Sequence, residues 1–150
     1  MANPVKGALI FGFLPCSLDA GLLMLRVLAG GSLFMKHGWE KLSNFSGMAQ
    51  HFQDPIHIGP VPSLAFALFS DAICSLLLVV GLGTRWASLF LVINIGVAWS
   101  LVHHFAFFAK PEGDHGEVCF LYIAVFLALF FTGAGRYSAD DAIRKGIETR

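Results

Sequence analysis

The sequence predicts an all-α protein: an integral membrane four-helix bundle with short loops and a short amphipathic helix in its first outer loop. Three observations point there. Hydrophobic residues make up 56% of the 150 and charged residues 13%, against roughly 45–50% and about 25% in soluble domains. Four windows, residues 18–37, 62–82, 86–106 and 117–134, are mostly apolar over about the ~20 residues that cross a ~30 Å hydrocarbon core. None of the four shows the polar outward face that a water-soluble bundle helix needs. The length suits one domain, residues 1–150.

Each element follows in order. Lys6 and the apolar run from Ala8 to Leu14 loosely imitate a signal peptide. Pro15 interrupts the run and no A-x-A-like cleavage site follows, so a retained segment at the interface is expected. The first span ends near His37. In the loop after it, Phe45, Met48, Phe52 and Ile56 recur at helical spacing until Pro55 intervenes. That pattern fits either a short amphipathic helix on the membrane surface or an irregular loop dipping apolar side chains into the headgroups. The second and third spans are separated by Gly81-Leu82-Gly83-Thr84, a turn signal.

Orientation follows from Lys and Arg in the short loops. Lys6, Arg85, Arg136, Arg144, Lys145 and Arg150 lie on one side, and Lys36, Lys41 and Lys110 on the other. Six against three places both termini in the cytoplasm. Formal net charge is zero, with no run of like charges, so nucleic acid is not an expected partner. The lipid bilayer is. Cys16, Cys74 and Cys119 are too widely spaced for thiol exchange or a thiolate zinc site.

Charges at membrane depth cost about 2.5–3.5 kcal/mol each on insertion scales, so they are candidates for function. At ~1.5 Å rise per residue, Arg26 and Asp71 both fall roughly 15–17 Å below the outer surface. Adjacent antiparallel helices would then form an Arg26–Asp71 ion pair near the midplane. Asn94, at similar depth, completes a polar layer, or these residues only fix helix packing. Steps of ~100° put Asp19, Arg26 and His37 on nearly one line of the first helix, with Gly30, Glu40 and Lys41 close by. That line should face inward, because lipid cannot solvate it. In the fourth span Glu117, Ala124, Ala128 and Thr132 share a face, whose small residues permit close helix approach or leave space for a ligand.

All six histidines, His37, His51, His57, His103, His104 and His115, fall on the outer side or in the outer half. Glu40, Asp54, Glu112, Asp114 and Glu117 join them. This distribution suits proton exchange at an outward-facing pocket, or reflects ordinary interfacial placement. His103 and His104 point ~100° apart, and His37 with Glu40 is a lone pair rather than a di-iron motif. No metal or haem is expected. Among the tryptophans, Trp39 and Trp86 suit interfacial belts and Trp99 the pocket.

The chain resembles the DoxX family of small four-helix bacterial membrane proteins. The matching pieces are Leu25-Arg26, His37-Gly38-Trp39-Glu40-Lys41-Leu42, Asp71 at a usually acidic position, and Gly81-Leu82-Gly83-Thr84-Arg85. Asn94, the His103-His104 pair, Glu117 and Gly133-Ala134-Gly135-Arg136-Tyr137-Ser138 with Asp140 continue the match. Asp stands at position 71 where Glu is the more usual residue. The resemblance implies subunits or companions of redox systems, including thiosulfate:quinone oxidoreduction and quinone or catechol detoxification.

The expectation is therefore a quinone-linked redox component with its ligand in the outer half of the bundle. Arg26 would hold a carbonyl or semiquinone charge and Asp71 would orient Arg26. Asn94, Trp99 and His103 would complete the binding site, while His37, His104 and Glu117 would relay protons. Electrons would come from a redox protein partner, and a homo-oligomer is the other expected assembly. The alternative is a non-enzymatic scaffold or assembly factor for a redox complex; a small transporter fits less well, because no internal repeat is visible.

Overall fold

The computed structural model describes residues 17–107 and 116–149, and no strand occurs among them. Helix α1 (Leu18–Ser43) has 26 residues and is followed by a single turn, α2 (Phe45–Met48). Helices α3 (Pro60–Val80) and α4 (Thr84–Val102) have 21 and 19 residues, and with α1 they are long and apolar enough to cross a membrane. Helix α5 (Gly116–Thr132) is apolar with 17 residues, at the lower end of the ~17–25 that span a bilayer. A polar helix, α6 (Ala139–Glu148), ends the described chain.

The long helices pack in sequence order. α1 lies on α3, α3 on α4 and α4 on α5, while α5 meets α1 around Arg26–Gly30. The core, including Leu22, Leu78, Leu91, Phe126 and Leu129, concentrates towards the end that holds Leu18, Gly81 and Thr132. We call this the terminus end, and the opposite end, which carries residues 44–59, the loop end. Elsewhere the surface is apolar: Met24, Leu28 and Met35 of α1 are exposed, as are Trp86 and Phe131. A broad greasy surface on helices of spanning length is what contact with lipid requires.

The helices also contain wide, i→i+5 bonded turns, at Arg26–Gly30, Phe34–Gly38, Phe69–Cys74 and Ala98–Val102. Such π-helical turns often mark functional positions. Here they carry Arg26, His37, Asp71 and Trp99. The Ser75 hydroxyl donates to the Asp71 and Ala72 carbonyls freed in one of them.

Two expectations need correction. The first span does not stop near His37 but continues to Ser43, so Lys41 belongs to a membrane helix. The amphipathic helix of the first loop shrinks to one turn. Asp54 organises the chain beyond it. Its carboxylate accepts from the Ile58 and Gly59 amides at 3.0 and 2.7 Å and from the Ser63 hydroxyl at 2.7 Å. The chain therefore wraps around a carboxylate that docks the loop on the start of α3. The Ser63 hydroxyl, helped by those amides, holds the Asp54 carboxyl below its ordinary range.

Candidate functional site

A cavity of about 1060 Å³ opens between the long helices at the loop end. Its floor is polar. Lys41 Nζ lies 2.9 Å from Asp71 Oδ2, and the Asn94 amide donates to Asp71 Oδ1 at 2.9 Å. Lys41 also donates to the His37 carbonyl at 3.4 Å. The side chains of Lys41 and Asp71 retain only 11% and 8% exposure, so the ammonium and carboxylate neutralise each other where water cannot. A buried pair of this kind contributes little net stability, because desolvation offsets the attraction. Removing one partner, by contrast, strands a charge.

Gly38 makes the pair possible. A Cβ at this position would sit 2.5 Å from the Asp71 carbonyl oxygen and 3.0 Å from Ala72 Cα. With hydrogen there instead, α1 crosses α3 almost in backbone contact. Lys41, one turn further on, then reaches down to Asp71.

The rest of the cavity is mainly apolar, with Phe66, Ile93, Val97 and Val102 on its helical walls and Phe52 and Ile56 from the loop above. Three of the apolar positions expected on an amphipathic helix, Met48, Phe52 and Ile56, thus form a roof. Around the cavity stand Lys36, His37, Lys41, His51 and His103 against one carboxylate, Asp71, among the described residues. The surroundings favour a ligand that carries or develops negative charge.

The expected Arg26–Asp71 ion pair does not form. The Arg26 guanidinium donates to the carbonyls of Leu78 at 3.3 Å, Val79 at 3.2 Å and Tyr137 at 2.6 Å. It is fully buried at the terminus end, outside the cavity lining. The cause is helix register. Gly38 of α1 lies against Asp71, and Gly30 against Ser75 and Val79 of α3, so Arg26 stands level with the end of α3, roughly 18 Å along the axis from Asp71 at ~1.5 Å per residue. Lys41, one turn beyond Gly38, is the cation that reaches Asp71, because a helical side chain leans towards the helix N-terminus. Arg26 works as a staple, tying α1 to the last turn of α3 and to the segment after α5.

The same end is closed by two more carboxylates. Asp140 accepts from the Gly83 and Thr84 amides at 2.7 and 3.0 Å, capping α4, and Asp19 accepts from the Arg136 amide at 2.9 Å. Gly81 ends α3 at φ +77°, and a Cβ there would collide with the Arg26 guanidinium. The glycine-rich pieces of the sequence are thus parts of a structural clasp.

The other expected site residues divide. Asn94, His37 and His103 line the cavity with Asp71. Trp99 does not: its indole donates to the Ala106 carbonyl at 3.3 Å and its ring meets Phe105 and Phe120 edge-on, so it braces the turn that ends α4. His104, with φ +48°, is exposed and outside the lining. Glu117 is exposed too, and so are Ala124, Ala128 and Thr132. The face of α5 that they share points away from the bundle, because the bulky Phe126 and Leu129 pack on its opposite side. Glu112, Asp114 and His115 lie outside the described residues, as do Lys110 and the segment from Lys6 to Cys16.

Sequence reasoning missed Lys41 as a site residue, although it stood close to the polar line of α1. It also missed Tyr122, whose hydroxyl lies 2.8 Å from Ser32 Oγ across the α1–α5 seam. Among the described residues no three His, Cys, Asp or Glu side chains converge as a metal site.

No curated protein and no solved structure gives a match to the chain. The DoxX family model matches residues 21–104, a stretch that runs from the Arg26 staple through the Lys41–Asp71–Asn94 floor to the end of α4. That is more than half of the chain, which therefore belongs to the DoxX family.

Proposed function

We propose that this chain is a membrane redox component that binds a quinone-like molecule in the loop-end cavity and receives electrons from a partner donor. The cavity carries the proposal: a large, mainly apolar chamber whose floor is a buried ammonium–carboxylate pair. Small-molecule sites have this character, with apolar walls and a few converging polar groups. A planar dicarbonyl ring fits apolar walls, and its oxygens need a donor at one end. Lys41 supplies that donor, with the Asn94 amide beside it. This replaces the role first given to Arg26.

Reduction places negative charge on the ligand oxygens and calls for protons. The excess of basic groups around the cavity stabilises such charge, and the imidazoles of His37 and His103, both in its lining, are the groups to carry the protons. Glu117 and His104 have no part in this version. By the count of basic residues, the loop end faces the outside of a bacterial cytoplasmic membrane, with both termini inside.

Purification from native membranes tests the reading. Extraction of a stoichiometric quinone, lost in Lys41→Met, is the expected result. A stoichiometric protein partner with no extractable small molecule would instead favour a scaffold for a redox complex.

A further inference from the structure

A second, smaller cavity of about 200 Å³ lies on the α1–α5 seam, lined by Ala29, Val118, Leu121, Tyr122 and Val125. Val118 and Tyr122 also line the large cavity. The Tyr122 side chain is therefore a shared wall, with the loop-end chamber on one side and a groove on the other. Val118 and Leu121 are exposed on the surface assigned to lipid.

The seam is built differently from the other helix contacts. α5 packs along α4, but its main contact with α1 is around Arg26–Gly30, near the terminus end. Nearer the loop end, the Ser32–Tyr122 hydrogen bond at 2.8 Å bridges the gap. Interhelical hydrogen bonds in membranes are weak, and Ser32 keeps a second acceptor, the Ala29 carbonyl at 3.1 Å. Letting go of Tyr122 therefore leaves the serine donor satisfied.

We infer that the ligand is a lipid-soluble quinone with a long isoprenoid chain, whose head sits over Lys41 and Asp71 and whose chain leaves through the α1–α5 seam into the bilayer. This rests on the quinone reading above and adds the class of quinone and its route of entry. The occupant of the small groove is then the chain of the same molecule. Continuity argues for it, since one tyrosine separates the two spaces, and so does the uniformly hydrocarbon character of the groove apart from the Tyr122 hydroxyl. An untethered polar head would have no use for an exit towards lipid.

The test uses the full chain in lipid nanodiscs and two probes with the same naphthoquinone head, one carrying an eight-unit isoprenoid chain and one only a methyl group. Leu121→Trp and Leu121→Phe both add bulk at an exposed seam position outside the lining of the large cavity, so the core is undisturbed and either variant can stand in for the other. The expected result is at least a tenfold loss of affinity for the long-chain probe, with the methyl probe changing less than twofold. A diazirine placed on the chain should label α1 and α5 at the seam. Equal effects on both probes, no effect on either, or labelling confined to the loop above the cavity would overturn the inference and leave the quinone reading standing. Failure of wild-type protein to bind either probe would overturn both.

Discussion

The two ends of the helix assembly use the same device for opposite purposes. Each takes a long cationic side chain from α1, leaning towards the start of that helix. At the terminus end Arg26 donates to backbone carbonyls, those of Leu78, Val79 and Tyr137. At the loop end Lys41 meets a carboxylate beside a cavity. The first arrangement spreads one charge over fixed dipoles from different segments and closes the structure. The second leaves an ion pair with a ligand-sized space above it. Burial of charge alone therefore does not identify a functional site; the acceptor and the adjoining space do.

The sharpest way to break this contrast is Arg26→Leu. It removes three hydrogen bonds from a charged donor, each worth ~1.5–3 kcal/mol, and strands carbonyls at the end of α3. We expect a loss of about 4–5 kcal/mol in denaturant unfolding of the detergent-solubilised protein. Arg26→Lys should recover little of it, because a point charge cannot serve three carbonyls held by a planar fork. Loss of ligand binding without loss of stability would return Arg26 to the site.

At the loop end, Asp71→Leu or Lys41→Met alone should cost ~3–5 kcal/mol by leaving an uncompensated buried charge. The double variant should regain most of that stability. Regain in the double variant is what separates an ion pair from two independent residues, and strictly additive losses would deny the coupling.

Gly38→Ala should have a smaller effect, about 1–3 kcal/mol, as overpacking typically does. Its added methyl pushes α1 off α3 at the Asp71 carbonyl and should weaken ligand binding together with stability. Unfolding and binding titrations on the same preparation would check this.

These residues also show what can be read without coordinates. The helices are close to where hydropathy puts them, because a ~30 Å apolar slab imposes length and character on every span. The polar line of α1 was legible from helical phase, and the placing of Asn94 near Asp71 from depth. The Arg26–Asp71 pair was not, since counting from assumed span ends misses the register of α1 on α3, which sets Gly38 rather than Arg26 beside Asp71. Nor was the orientation of α5. Phase groups Glu117, Ala124, Ala128 and Thr132 on one face, but packing on α4 decides whether that face turns in or out. The loop is helical for one turn only, and the Asp54 bonds to the Ile58 and Gly59 amides that shape the rest of it leave no mark in hydrophobic spacing.

The smallest expected effect is on pH dependence, outside the spans. Asp54 in the loop and Asp141 on α6 both have carboxyls held below the ordinary value of 3.8, the first chiefly by Ser63 and the second by Lys145 and Arg144. A depressed folded value means the unfolded chain takes up protons first as pH falls. Their support is thus complete above 3.8, fades below it and is gone beneath the folded values. Protease cleavage in residues 49–59 should stay slow at pH 5 and accelerate only in this acid range. Acceleration already near pH 6 would contradict this.

The central claim is that the Lys41–Asp71 pair holds the ligand while the Arg26 staple holds the fold. Quinone affinity of the Lys41→Met/Asp71→Leu double variant, measured once its unfolding has been matched to wild type, tests it most directly. We predict at least a tenfold loss of affinity in a stable protein. Wild-type affinity in that variant would contradict the claim.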